Sequence, residues 1–174
     1  MLSGRSQFVG VAGQHFVAYA LSVRGIHAAI TLGNVPAVDI AIARHDGAIG
    51  LSIQVKTSRW AYRPNRYKKE LCEWDVGASA VGRWSDSLWY TFVDLQEEER
   101  ANGELTWNPR VFVVPSLWVG SFVKEEWSRK RYMLPKDAWP QCLERWDRVS
   151  AFFSGDPDTA SWCKTVPPEA VDWS

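Results

Sequence analysis

"LSIQVKT", Leu51 to Thr57, is the stretch on which the rest of the chain turns. Apolar and polar side chains alternate through it, placing Leu51, Ile53 and Val55 on one face of a half-buried strand. The opposite face carries Ser52, Gln54 and Lys56, with Ser58 next in line. A solvated sheet face is the simplest account of such a strand in isolation. An amide and an ammonium two residues apart become informative only if something complementary lies beside them.

The chain as a whole sets limits on what that could be. Its 174 residues, 46% of them hydrophobic, suffice for one sizeable core in a single domain. Twenty basic and twenty acidic residues cancel, so a nucleic-acid partner would have to be met by a local patch. Cys72, Cys142 and Cys163 are scattered and odd in number, which suits reduced thiols in a cytoplasmic protein better than a disulfide framework. No secretory leader and no bilayer-length apolar run is expected. All eleven tryptophans lie at or beyond Trp60, while the first 59 residues use smaller apolar side chains. One domain in two halves, residues 1–153, is expected, followed by an extended Pro-, Asp- and Ser-containing tail over 154–174.

In the first half, Phe8, Val9, Phe16, Val17, Ala20 and Leu21 recur at helical spacing, predicting a helix from Ser6 to Arg24 that stops at Gly25. Strands are predicted over Ile26–Leu32 and Ala37–Arg44, separated by the turn "GNVP"; "HDG" then turns the chain into the strand containing Leu51–Thr57. In the second half "SLWYTFVDL" and "PRVFVVP" predict two further strands around a charged loop, "QEEERANGE". Helices are predicted within "SLWVGSFVKEEW" and "KDAWPQCLERWDRVSAFF", the second limited or kinked by Pro140. This order suggests an α/β fold in three layers, α/β/α, around a central mixed sheet.

The strand containing Asp39 and the strand containing Gln54 form a hairpin centred near Asp46 and Gly47. Asp39 and Gln54 are equally far from that centre, so they can lie side by side, with Lys56 just beyond. A carboxylate, an amide oxygen and an ammonium would then converge at the end of a sheet. That combination suits a hard cation with a positioned positive charge beside it.

The order "GQHF", "PAVDI", "IQVKT" resembles the PD-(D/E)XK nuclease superfamily, in which restriction endonucleases and Holliday-junction resolvases share a restriction-endonuclease-like fold. The resemblance runs from about Gly13 to Thr57. It implies a metal-dependent endonuclease acting on DNA in defence, recombination or repair, with Mg²⁺ or Mn²⁺ as cofactor. By position it implies catalytic roles for Asp39, Gln54, Lys56 and the helix residue Gln14, and metal ligation by Asp39, Gln54 and the Val55 carbonyl. Pro36 stands three residues before Asp39, and Gln14 and Gln54 occupy positions where the family often has carboxylates. Asp39 is therefore the only carboxylate among the matched positions, and substrate phosphate would have to complete the charge balance around a bound ion.

Immediately downstream, "KTSRWAYRPNRYKK" contains no acidic residue. Arg59, Trp60, Arg63, Arg66, Lys68 and Lys69 are its candidate nucleic-acid contacts, cations for phosphates and an aromatic ring for stacking. His15 and His45 lack the companions of a zinc site and are expected to be ordinary surface or core histidines. The Trp-rich second half is expected mainly to pack a core, with a few rings left for a contact between two copies. Two other readings stay open: a nuclease-like module that binds nucleic acid or partners without cutting, for which the two glutamines argue, and a Trp-rich interaction protein. Lys56 argues against both, because a scaffold has no need of an ammonium at a strand end.

Overall fold

The computed structural model describes residues 3–31, 38–44, 46–66 and 68–168; Pro36, Ala37, His45 and Tyr67 lie outside them. Helix α1, Ser3–Ser22, ends where Gly25 takes a positive φ of 76°, the left-handed conformation that a glycine adopts without strain. Strands β1 (Ala28–Ile30), β2 (Ile40–Ala43) and β3 (Ile49–Ser58) follow as an antiparallel meander. The main sheet is completed by β6 (Leu88–Asp94) and β9 (Arg110–Pro115), giving the order β1-β2-β3-β6-β9. The pairing of β3 with β6 is parallel and the other three are antiparallel, so the central sheet is mixed.

The alternation in β3 divides the core. Leu51, Ile53 and Val55 are buried on the side where α1 packs. Gly13 on that helix lies so close to β3 that an added Cβ would stand 1.8 Å from the Thr57 hydroxyl oxygen. Trp89, on the same face of β6, meets Phe152 of α3 (Asp147–Ser154) at 5.4 Å and Trp162 of α4 (Pro157–Lys164) at 5.2 Å between ring centres. The exposed side of α1 leaves Phe8, Val11 and Tyr19 in contact with solvent, and Val23, just after the helix, is exposed as well.

The opposite face of the main sheet is covered by a second sheet of three strands. These are β4 (Tyr62–Arg66), β5 (Lys69–Asp75) and β10 (Arg131–Pro135), in the order β10-β5-β4. Trp74 packs on Phe92 at 4.9 Å and on Phe112 at 5.5 Å, while Tyr132 stacks on Phe92 at 4.8 Å. Completely burying each such ring stabilises the fold by about 1.5–3 kcal/mol. Helix α2 (Ser116–Phe122) bridges the two sides, with Trp118 against Trp162 and Phe122 against Tyr132.

Several elements differ from the sequence expectation, each for a local reason. The basic stretch after Lys56 forms the β4–β5 hairpin, and "QEEERANGE" is part of a small hairpin of β7 (Glu98–Glu99) and β8 (Leu105–Thr106). The expected helix over Lys136–Phe153 is divided. Pro140 sits in a 3₁₀ segment, Lys136–Gln141, after which the chain bonds the edge of β9: Val113 N–H donates to the Cys142 carbonyl at 2.8 Å, and Val111 N–H to a Glu144 carboxylate oxygen at 3.0 Å. From Ser154 the chain is helical again rather than extended. Asp156 caps the Thr159 N–H at 2.8 Å, Pro157 starts α4, and Trp162 and Cys163 are buried.

The turn from β3 into β4 is tied to the far end of β6 through Asp94, which is 1% exposed. Asp94 accepts from the Ala61 N–H at 2.8 Å and from the Arg110 guanidinium at 2.7 Å. Asp94→Ala would leave a buried N–H and a guanidinium without their acceptor, and the expected loss of about 3 kcal/mol or more in a denaturant titration checks this.

Candidate functional site

Asp39 is held before its side chain does anything. Its N–H donates to the Ile53 carbonyl at 2.9 Å and its carbonyl accepts from Thr31 N–H at 2.9 Å, which fixes it between β1 and β3. The pairing of β2 with β3 ends at Ile40 opposite Ile53, so Asp39, the residue before β2, lies against the Ile53–Val55 stretch of β3. The carboxylate accepts from Gln14 Nε2 at 2.8 Å through one oxygen and from Val55 N–H at 2.7 Å through the other. Gln14 reaches it from α1, which Gly13 allows to lie directly on β3.

Gln54 and Lys56 point to the side of the second sheet. In the parallel pairing Gln54 stands beside Tyr90 and Lys56 beside Phe92. Gln54 is 7% exposed, and its Oε1 has no hydrogen-bond partner among the described residues. A buried acceptor left without a partner costs roughly 1–3 kcal/mol, and the described residues supply none for this one. Lys56 is partly buried. Desolvation holds its ammonium below the usual lysine value of 10.5, against the opposing pull of the Asp39 and Asp75 carboxylates.

Three further residues bear on this site, by adjacency or by charge, without any local signal in the sequence. Asp75, at the end of β5, supplies the second carboxylate that acts on Lys56. Tyr90 is fully buried, its hydroxyl has no partner among the described residues, and burial pushes it up to about 12, with Asp39 adding to the rise and the Arg83 guanidinium opposing it. It therefore stays a hydroxyl donor throughout the neutral range. Arg83 itself is exposed. The β3–β6 register sets Tyr90 beside Gln54 and the folding of the second sheet brings Asp75 within electrostatic reach of Lys56, and neither is a local property of the chain.

The residues present are compatible with a hard divalent cation, though sparsely. Among the described residues no group of three His, Cys, Asp or Glu side chains could hold a metal ion. Asp39 keeps one lone pair on each oxygen beyond the bonds to Gln14 and Val55, and the Gln54 oxygen, without a partner among the described residues, is a second hard donor on the adjoining part of β3. The thiols offer no alternative nucleophile: Cys72, Cys142 and Cys163 are buried, and burial pushes Cys72 up to about 12 and Cys163 to about 11. His15 is exposed on α1.

The basic-aromatic stretch is partly committed within the molecule. Arg59 pairs with the buried Glu97 and lies over the Trp60 ring at 4.5 Å, while Trp60 donates its indole N–H to the Glu97 carbonyl. Arg66 pairs with the buried Glu73 at 2.9 Å. Arg63 donates to the Trp60 and Tyr62 carbonyls at 2.9 and 3.1 Å, which holds the start of the hairpin. Lys69 is half-buried; Lys68, at the positive-φ corner of the hairpin, and Trp60, 51% exposed, face solvent. No helix among the described residues is long and apolar enough to cross a membrane. Compared with family models, curated proteins and solved structures, the chain gives no match.

Three variants test the geometry without any assumed activity. Gly13→Ala would force α1 off Thr57 and pull Gln14 from Asp39; a loss of about 1–3 kcal/mol is expected in denaturant, whereas Gly10→Ala, with open space around its Cβ, should be neutral or better. Lys56→Met should melt no lower than wild type near pH 7. Because folding lowers the Lys56 pKa, the penalty for its charge is full below the folded value and fades as pH rises toward 10.5, so any advantage of the variant should shrink across that range.

Proposed function

We propose that the chain is a metal-dependent nuclease that hydrolyses phosphodiester bonds in nucleic acid, with DNA as substrate and Mg²⁺ or Mn²⁺ held at Asp39. The observation that carries this reading is the convergence of Gln14, Asp39, Gln54 and Lys56 at one end of the sheet, with a buried Gln54 oxygen left for an external partner. These are the residues at which the chain resembles PD-(D/E)XK nucleases, although Gln14 here supplies an amide donor where a carboxylate is common.

Asp39 and Gln54 would hold the ion, with the Val55 carbonyl as a further oxygen. Bound there, such an ion polarises the scissile phosphate and lowers the pKa of a coordinated water. Lys56 is the proton-handling group. Its ammonium, destabilised by burial, gives up a proton more readily than a solvated lysine, and while protonated it stabilises negative charge developing on the phosphate. Gln14 orients Asp39, and the Tyr90 hydroxyl and Arg83 guanidinium add donors for phosphate oxygens on the side of β6.

One observation favours a second reading. Both Asp39 oxygens already accept hydrogen bonds from the protein, so this carboxylate is satisfied without an ion, as a binding module that does not cut would require. Cleavage assays separate the two. For the enzyme, purified protein should cut DNA with Mg²⁺ or Mn²⁺ and stop on chelation, and Asp39→Asn and Lys56→Ala should each lower the rate by about a hundredfold or more. Lys56→Ala should spare metal affinity, while Gln54→Glu should raise it by adding a second carboxylate. Wild-type protein that binds double-stranded, single-stranded or branched DNA or RNA, yet cuts none of them with either metal, would establish the binding module instead.

A further inference from the structure

A cavity of about 620 Å³ lies on the outer face of the second sheet, lined by none of Gln14, Asp39, Gln54 and Lys56. Glu73, Arg131 and Met133 point into it; they alternate along β5 and β10 with Trp74 and Tyr132, which face the main sheet. Arg66, Phe122, Trp127, Ser128 and Arg129 complete its lining.

The lining is built in two parts of different chemistry. One is apolar and aromatic: Trp127 meets Phe122 edge-on at 5.5 Å, with Met133 beside them. The other is cationic, with three guanidinium groups around a single carboxylate. Glu73, 7% exposed, is shared between Arg66 and Arg131, which fixes both of those arginines. Arg129 is exposed and has no ion-pair partner among the described residues. The loop that presents Trp127 and Arg129 is itself pinned, since Lys130 Nζ donates to the Glu125 carbonyl at 2.6 Å and to the Trp127 carbonyl. A ring-sized apolar wall next to surplus positive charge, in a cavity of ligand size, selects a planar body carrying an anionic group.

We propose that this cavity binds one nucleotide unit, its base against Trp127, Phe122 and Met133 and its phosphate at Arg129. The inference goes beyond phosphodiester hydrolysis and does not depend on it. It adds a point of recognition outside the candidate site. The two are connected through β5: Asp75, which acts on Lys56, is the cross-strand neighbour of Arg131.

Titration calorimetry on the full chain tests it, with adenosine monophosphate, adenosine, inorganic phosphate and a short single-stranded oligonucleotide as probes. The monophosphate or the oligonucleotide should bind, with adenosine and phosphate each weaker by about tenfold or more, because each keeps only half of the contacts. Arg129→Gln, at an exposed position, should weaken binding about tenfold and reduce its salt dependence. Trp127→Ala should cost about five- to a hundredfold, and Trp127→Phe, which keeps an aromatic face and guards against misfolding, should retain most of the affinity. Binding of the monophosphate assigns a free nucleotide as occupant; binding of the oligonucleotide alone, with the same dependence on Trp127 and Arg129, assigns a nucleotide within a strand. No binding of either probe, or binding indifferent to both substitutions, overturns the proposal. Lys56→Ala should leave the dependence of binding on Trp127 and Arg129 unchanged, so loss of cutting and loss of the pocket are separate outcomes.

Discussion

The structure depends on the parallel pairing of β3 with β6, which runs from Ser52 beside Leu88 to Ser58 beside Asp94. It is the seam between the two halves of the chain: everything before it is a helix and a meander, and everything after it is aromatic-rich. A parallel seam cannot be closed by a tight turn, so the chain between Ser58 and Leu88 must make a crossover. Here that crossover contains the β4–β5 hairpin rather than a long helix. The hairpin, joined by β10, supplies the layer opposite α1, and both faces of the main sheet are thereby covered.

The same seam explains why polar groups survive in the middle of a core. Gln54 and Lys56 sit at the end of β3 on the face shared with Tyr90, where the second sheet withdraws water but provides few partners. Among the described residues the fold thus holds an amide oxygen and a phenol without partners and a partly desolvated ammonium on one face of the β3–β6 pair, each unfavourable by itself. The clamp on Asp39 works in the opposite direction. Its backbone and both of its carboxylate oxygens are occupied, so the residue is fixed in place even without a ligand.

What could be read from the sequence was what local periodicity encodes. The spacing of Val17, Ala20 and Leu21 gave the helix, and equal distance from Asp46 and Gly47 gave the register that sets Ile40 against Ile53 and brings Asp39 to β3. The second sheet was not readable in this way. "KELCEWD" mixes charged and apolar residues because its two faces meet different surroundings, Glu73 in the arginine-lined cavity and Trp74 in the core. Asp75, Arg83 and Tyr90 were missed for a related reason, since they reach Lys56 or one another only through long-range pairing. The basic stretch was legible as composition but not as geometry: nothing near Arg59 or Arg66 announces that Glu97 and Glu73 will neutralise them.

Helix α4 bears on the order in which the molecule can be made. Trp162 inserts between Trp89 of the central seam and Trp118 of α2, and Trp118 in turn donates its indole N–H to the Thr165 carbonyl at 2.7 Å. During synthesis from the N-terminus, Trp89 and Trp118 leave the ribosome well before the segment that covers them. Until α4 follows, one end of the main sheet presents two bare indoles to its surroundings. The nascent chain can collapse early, but these two rings stay uncovered on that side until the short helix docks.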